Sequence, residues 1–350
     1  MGDIYLIRHA EAEGNRYRRI HGWYDSNVTK NGLRQIVALG RRFDGVPLAA
    51  VYASGLCRTR RTAAVLAASR NLAVQDDLRF REIGLGVWED RPFGELSQEE
   101  PEQLRDFTDR PDRWRAEGAE TFRECTDRFL AALRALAEAH TGESIAVVTH
   151  GMALRAALQA LFPDHPAGHS DNTAVTHLTW DGTFHLDYAD DNSHLSEEIS
   201  TLARQRWWRT SARGGDRNLW FLPFEGEIDW YLRLADDAVP VAPMAAIFFA
   251  MLGKEPVGLL QLDPQAGQED GAGTVDYLGL APKYRGQGLG AQLVGCAVSY
   301  YRGLGRETLR LNLPERYTRA AHFLAEEGFR PAGAFLEKDL CVPCAEFPGE

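Results

Sequence analysis

The sequence predicts an α/β chain in two parts, a layered and doubly wound first domain followed by a smaller α+β domain. Three observations carry this. The length, 350 residues, is about two domains at roughly 150 residues each. In the first half, short uncharged β-rich runs alternate with helical patterns, which is the signature of a sheet covered on both faces. After residue 216 the style changes to a hairpin, a strand, a glycine-rich turn and a helix.

Composition narrows the function. The chain is 44% hydrophobic and 25% charged, the profile of an ordinary globular protein. Its 39 Lys and Arg against 50 Asp and Glu give a net charge of -11, so nucleic acid is disfavoured as a partner and any anion site must be local. The proline-interrupted apolar run from Val241 to Leu252 is shorter than the roughly 20 residues a spanning helix needs, so no membrane span is expected. The first residues, Met-Gly-Asp-Ile-Tyr-Leu, have neither a basic start nor an apolar core, and a cytoplasmic location is expected. Five cysteines are too few for a disulfide scaffold and are read as free thiols, including the lone Cys341-Val-Pro-Cys344.

Taken in order, Ile4 to Ile7, Leu48 to Ala53 and Ile145 to Thr149 read as buried strands, being uncharged throughout. Thr121-Phe-Arg-Glu124 has the spacing of a capping box ahead of the amphipathic stretch Cys125 to Ala139, a helix. Asp90 to Glu120 is polar and punctuated by proline, and reads as a lid or insertion. Met152 to Leu161 reads as a helix after the third strand. Residues 1–195 form the first domain, 196–216, with Trp207-Trp208 and a Gly-Gly pair, the linker, and 217–350 the second domain. In the latter, Ile247 to Leu252 and Val257 to Leu262 flank a Gly253 to Pro256 turn. A strand follows from Thr274 to Leu280, a helix from about Leu289 to Tyr301, a strand from Leu309 to Leu313, and a helix from about Tyr317 to Glu327 that Gly328 ends.

Arg8-His9 closes the first strand, Ser54-Gly-Leu-Cys-Arg58 follows the second, and His150-Gly151 closes the third. Carboxyl ends of strands in a doubly wound sheet line one crevice, so two imidazoles and two guanidiniums converge there as a phosphate pocket. The helix after Gly151 is expected to add its positive end. Read whole, Arg8-His-Ala-Glu-Ala-Glu-Gly-Asn15 resembles the signature of the histidine phosphatase superfamily, the phosphoglycerate-mutase-like proteins. Asp25 to Gly32, Ser54 to Ala63, Glu82-Ile-Gly-Leu-Gly-Val-Trp-Glu89 and Thr149-His150-Gly151 match its further motifs in order, and the resemblance covers about residues 1 to 195. It implies a three-layer α/β/α domain that needs no metal. It makes His9 the phosphoryl acceptor, Arg8, Arg58 and His150 the oxygen-binding groups, and Glu82 the general acid. Asn15, Arg16, Arg19 and Gly151 are the expected substrate-binding residues. The domain's size favours a phosphatase over the mutases, which carry longer insertions.

Arg285-Gly-Gln-Gly-Leu-Gly290 opens a helix soon after a strand. Its relaxed dinucleotide reading, with Glu315 near the ribose, is disfavoured because Pro282 to Arg285 separates strand from glycine. The run Leu280 to Gly290 instead resembles the acetyl-CoA motif of the GNAT acetyltransferases, with Asn312 and Glu327-Gly-Phe329 in family positions. This implies an α+β domain that binds acetyl-CoA through Leu280, Arg285, Gly286, Gln287, Gly288, Leu289, Gly290 and Asn312. Leu324 stands where the family often has a tyrosine acid, which leaves Tyr317 as a substitute and Asp276 as a candidate base. His165 and His169 lack a carboxylate partner pattern, and no metal site is expected. The expected function is bifunctional: hydrolysis of a small phosphomonoester and acetylation of a small amine, both on one amino-phosphate metabolite in the simplest case. The alternatives are a second domain that senses CoA or scaffolds a homodimer, and a phosphoprotein phosphatase or a mutase in the first.

Overall fold

Alternate side chains of the first strand enter two different cores, and this layers the first domain. In the computed structural model, which describes residues 2–165, 168–205, 217–235, 244–314 and 317–343, β1 (Gly2–Arg8) sends Ile4 and Leu6 to one face and Ile7 to the other. There follow α1 (Glu13–Tyr17), α2 (Lys30–Arg42), β2 (Ala50–Ala53), α3 (Cys57–Ala68), β3 (Val74–Asp76), α4 (Phe93–Glu99) and α5 (Pro101–Asp109). Then come α6 (Phe122–Ala139), β4 (Ser144–Thr149), α7 (Gly151–Leu161), β5 (Val175–Trp180), β6 (Phe184–Asp191) and α8 (Thr201–Arg204).

The strand order is β3-β2-β4-β1-β5-β6. β3, β2, β4 and β1 run parallel, whereas β5 and β6 form an antiparallel hairpin on one edge, so the sheet is mixed. Helices α6 and α7 cover Ile4, Leu6, Ile145 and Val147, and α2 and α3 cover Ile7, Val51, Ala146 and Val148, which makes three layers. The expected capping box starts α6: Thr121 Oγ1 accepts the Glu124 N–H, and the Glu124 carboxylate accepts the Thr121 N–H at 2.8 Å. The segment read as a lid contains α4 and α5. Its aromatic side chains Phe107 and Trp114 pack edge-to-face or tilted against Trp88 and Phe122, so it is a packed wall.

The second domain contains β7 (Trp220–Pro223), α9 (Ile228–Leu234), β8 (Ala246–Leu252), β9 (Glu255–Asp263), β10 (Ala272–Leu280), α10 (Gly290–Gly303), β11 (Thr308–Leu311), α11 (Thr318–Glu326), β12 (Arg330–Ala332) and β13 (Phe335–Asp339). Their order is β12-β13-β11-β10-β9-β8-β7. β8 and β9 form the expected hairpin, turning at Gly253 with φ 59°. β10 and β11 pair in parallel only from Ala272–Thr308 to Val275–Leu311 and then part, opening the sheet next to the glycine loop. α10 lies on one face against Leu260, Leu262, Val275 and Leu309, and α9 lies on the other with Phe249 and Leu259.

Trp207 and Trp208 lie outside the described residues, with the rest of 206–216. The described start of the segment read as linker is fastened to the first domain: Gln35 Nε2 donates to the Ile199 carbonyl at 2.7 Å, and Thr201 Oγ1 to Glu11 at 3.0 Å. The domains also pack directly. Tyr17 is buried among Val294, Val298 and Leu324 of the second domain, and a Cβ at Gly295 would stand 2.4 Å from the Tyr17 Cβ, so only glycine admits this approach. Beside it Glu13 is buried between Arg302 Nη1 at 2.8 Å and Lys338 Nζ at 2.9 Å. Burial pushes the Glu13 carboxyl up, but Lys338 and Arg302 outweigh it and hold it below its ordinary 4.5.

Glu13→Gln strands two buried cations and should cost about 3–5 kcal/mol, read as a lowered Tm. Because the folded value is the lower one, this stabilisation is complete above pH 4.5 and fades as the pH falls through the folded value. The variant should therefore lose less stability than the wild type on acidification below that point. Parallel Tm–pH curves would contradict a charged Glu13.

Candidate active site

The carboxyl ends of β1, β2 and β4 meet as expected, and a cavity of about 690 Å³ opens over them. Arg8, His9, Arg58 and Glu82 line it. His9 Nδ1 lies 2.7 Å from the Ala10 carbonyl. A carbonyl has no proton to give, so Nδ1 is the donor and Nε2 keeps its lone pair. Asn172 Nδ2 holds the His9 carbonyl at 2.9 Å. His150 is fully buried behind His9, ring centroids 5.1 Å apart, with Nε2 at 2.7 Å from Ser54 Oγ.

Both guanidiniums are anchored by main-chain carbonyls. Arg58 donates to Tyr24 O at 2.9 Å and to Gly22 O at 2.6 Å; Arg8 donates to Ser170 O at 2.5 Å. The loop that supplies Gly22 and Tyr24 is held by Glu89, whose carboxylate accepts the N–H groups of Gly22, Trp23, Tyr24 and Leu85 at 2.7 to 3.1 Å. Arg8 Nε and His150 Nδ1 are buried without a hydrogen-bond partner among the described residues. The Arg8 Nε–H is a donor left over and marks a place where an acceptor belongs.

Electrostatics sharpen the site. Burial, then Arg58 and Arg8, push the His9 pKa well below 6.5, and burial with Arg58 does the same to His150, so both imidazoles are neutral at neutral pH. Glu82 is also buried. Its carboxylate accepts Ala153 N–H at 2.7 Å, Met152 N–H at 3.0 Å and Ile83 N–H at 3.1 Å, yet burial outweighs these bonds and raises its pKa. Glu82 thus caps α7, so two amides of the helix end expected to face phosphate are already engaged.

Asn15 lines the cavity, its Oδ1 accepting from Ala12 N–H at 3.0 Å and Asn172 Nδ2 at 3.2 Å. Gly151 lines it too, and a Cβ there would come within 3.2 Å of Arg8 Nε. The two basic residues expected to bind substrate are otherwise occupied. Arg16 does not line the cavity but pairs with Glu327 of the second domain at 2.5 Å; Arg19 lines it while held by Asp90 at 2.7 Å and Ser299 Oγ at 2.8 Å. Sequence reading missed His21, Arg155, Ser170 and Asn172, all of which line the cavity, as does Arg18 of the basic run from Arg16 to Arg19. The Asp171-Asn172-Thr173 run is a turn signal, and Thr173 does take φ 62° there. Nothing local tells that this turn lands on His9. His169 also lines the cavity; among the described residues no group of three His, Cys, Asp or Glu is arranged to hold a metal.

In the second domain Leu280 ends β10, and its carbonyl accepts Arg285 Nε at 2.7 Å. Gly286 and Gly288 take φ 73° and 81°, with open space where a Cβ would project. Gln287 Nε2 donates to Lys283 O at 2.7 Å, Leu289 is buried, and Gly290 begins α10 beneath the Phe323 ring. Asn312 is exposed just past β11. Asp276 sits at the irregularity in the β9–β10 pairing, 3.4 Å from Gln261 Nε2, and burial raises its pKa. Tyr317 precedes α11, and Leu324 is buried in the core. Glu315 and Cys344 lie outside the described residues.

Comparison with known proteins finds two families along the chain. The profile of the histidine phosphatase superfamily (branch 1) matches residues 4–186, and that of the acetyltransferase (GNAT) family matches residues 204–329. The chain is 35% identical over 154 residues to a probable phosphoglycerate mutase, GpmB, of Salmonella typhi, covering 44% of this chain and 72% of that one. Among solved structures, Bacillus stearothermophilus YhfR superposes with a TM-score of 0.53 at 34% identity, over 56% of this chain and all of its own. A mycobacterial hydrolase superposes with a TM-score of 0.51 at 22% identity, over 58% of this chain and 97% of its own, a likeness of fold. With one profile spanning over half its length and a GNAT acetyltransferase domain behind it, the chain belongs to the histidine phosphatase superfamily.

Proposed function

We propose that the first domain hydrolyses small phosphomonoesters through a phosphohistidine at Nε2 of His9, without a metal. The observation that carries this reading is the Nδ1–H bond to the Ala10 carbonyl, which leaves Nε2 of a neutral imidazole free beside two buried guanidiniums. Phosphoryl transfer needs alignment and charge neutralisation more than covalent assistance, and Arg8 and Arg58 supply both without reorganising. The Nε2–P bond forms as the ester P–O bond breaks, and Glu82 gives its proton to the leaving oxygen. The Glu82 carboxylate then takes a proton from water, whose oxygen attacks phosphorus. The N–P bond breaks, inorganic phosphate leaves, and Glu82 is protonated again. Arg8 Nε, a buried donor with no hydrogen-bond partner among the described residues, is a group that a phosphate oxygen would satisfy.

For the second domain we propose acetyl-CoA-dependent acetylation of a small amine. The backbone N–H groups from Gly286 to Gly290 would hold the pyrophosphate at the start of α10, and the clear space over Gly286 and Gly288 fits that group. When bound, acetyl-CoA supplies an activated acetyl thioester. Asp276, with its raised pKa, would take the proton of the incoming ammonium, and Tyr317 is left as the proton donor because Leu324 is apolar and buried. One metabolite bearing both a phosphate and an amine is the simplest joint substrate.

His9→Ala should lower phosphate release by about a thousandfold or more, and wild type in EDTA should keep full activity and carry an acid-labile phosphoryl group. A mutase, the activity in the Salmonella relative's name, would instead pass the group to a second hydroxyl and release no phosphate.

Glu82→Gln should slow alkyl phosphates about a hundredfold more than nitrophenyl phosphate, whose leaving group needs no proton. For alkyl esters, activity should fall as the pH rises through the raised Glu82 value, and on the acid side only below His9's depressed one. Equal losses on both esters would remove Glu82 from the acid role.

Gly288→Glu puts a side chain at φ 81° and a negative charge beside the pyrophosphate. Calorimetry should show acetyl-CoA binding at least about tenfold weaker. Unchanged affinity would locate the cofactor elsewhere.

A further inference from the structure

His150 hangs on a chain of hydrogen bonds whose direction is decided at its far end. The Leu56 carbonyl, which also takes the Thr59 and Arg60 N–H groups, can only accept, and Thr59 Oγ1 donates to it at 2.8 Å. A hydroxyl has one proton. Thr59 Oγ1 therefore meets Ser54 Oγ, 3.0 Å away, with a lone pair and takes the Ser54 proton. Ser54 Oγ in turn has only a lone pair for His150 Nε2 at 2.7 Å, so Nε2 carries the proton of the ring. The opposite order would leave the contact of Thr59 with the carbonyl without a proton in it. Ser54, Thr59 and His150 are each 0% exposed, so solvent does not enter the chain.

In a neutral imidazole with its proton on Nε2, Nδ1 holds a lone pair. Nδ1 is buried and has no hydrogen-bond partner among the described residues, in a ring whose centroid is 5.1 Å from that of His9. The charged and titratable groups around it are Arg8 and His9 at the end of β1, Arg58 of α3 and Arg128 of α6, with Glu82 on the amides just after it. The His9 Nδ1–H is spent on the Ala10 carbonyl, and the Glu82 oxygens on three amides. The pocket thus offers a phosphoryl group several donors and one acceptor.

We infer that His150 Nδ1 accepts a hydrogen bond from a protonated phosphate oxygen, and that Ser54 and Thr59 are the positioning residues that keep it an acceptor. This rests on the phosphatase reading above. The anion recognised is one that still carries a proton: hydrogen phosphate, or the monoanion of an ester. An ester dianion takes up one proton from solvent as it binds, and that proton lies between the phosphate oxygen and Nδ1. Sulfate has the shape and charge of hydrogen phosphate but no proton, so it sets a lone pair against a lone pair, and a site built around an acceptor rejects the analogue that lacks the donor.

Inorganic phosphate and sulfate test this as competitive inhibitors of nitrophenyl phosphate hydrolysis, at mildly alkaline pH and constant ionic strength. Wild type should bind phosphate about thirtyfold or more tightly than sulfate. The arginines and Glu82 act on both dianions alike, as does any general loss of structure, so neither moves the ratio. Ser54→Ala removes the acceptor of Nε2–H and Thr59→Val turns the Ser54 proton onto Nε2; each lets the ring proton pass to Nδ1. In both variants the ratio should fall to within about threefold of one, with sulfate bound more tightly than by wild type. Thr59→Val keeps nearly the same volume, so the test stands if Ser54→Ala fails to fold. Long-range proton–nitrogen spectra of histidine-labelled protein, with His150 assigned by its loss in His150→Gln, should place the proton on Nε2 in wild type and on Nδ1 in Thr59→Val. Equal inhibition of wild type by the two anions overturns the proposal, as does a wild-type proton on Nδ1, or a ratio that Thr59→Val leaves unchanged. A wild type that hydrolyses no nitrophenyl phosphate overturns the phosphatase reading itself.

Discussion

The first domain is arranged around the problem of keeping a guanidinium inside protein, with one carboxylate, Asp25, 3.6 Å from it. Arg58 is 1% exposed, and an arginine so buried must find acceptors or be excluded. Its hydrogen bonds go to two carbonyls of one short loop, and that loop keeps its shape because a single carboxylate, Glu89, gathers four amides from it and from its neighbour. The cation is therefore fixed before any anion arrives. Burial first, and then its field together with that of Arg8, keeps the two imidazoles uncharged.

What could be read in the sequence follows from where information is local. β1 and β4 were legible as uninterrupted apolar runs because helices cover them on both faces. The capping box of α6 was legible because both its partners lie within four residues. The β5–β6 hairpin escaped because one side of it is polar and its runs, such as Thr-His-Leu-Thr, look like loop. α1 escaped because five residues are too few for a period.

The site divides in the same way. Residues fixed by a strand end, Arg8, His9 and His150, converge as read. Arg16 and Arg19 showed as charge without showing whom they face, and their partners, Glu327 and Ser299, stand in the other domain. Glu82 was identified through its motif, but its seat on the α7 amides was not, since that depends on how a loop and a helix meet across 70 residues. Asn172 reaches His9 from an even greater distance along the chain.

The burial of Tyr17 in a core belonging to the other domain bears on how such a chain could be taken apart. An apolar socket lined by Val294, Val298 and Gly295 has no use in a free acetyltransferase, and a phenol ring protruding four residues beyond a buried carboxylate has none in a free phosphatase. Severed at the connecting segment, each half would present a sticky patch to solvent. The two domains are therefore tied to one another, and a gene cut at that boundary would yield two poorly soluble fragments in place of two folded domains.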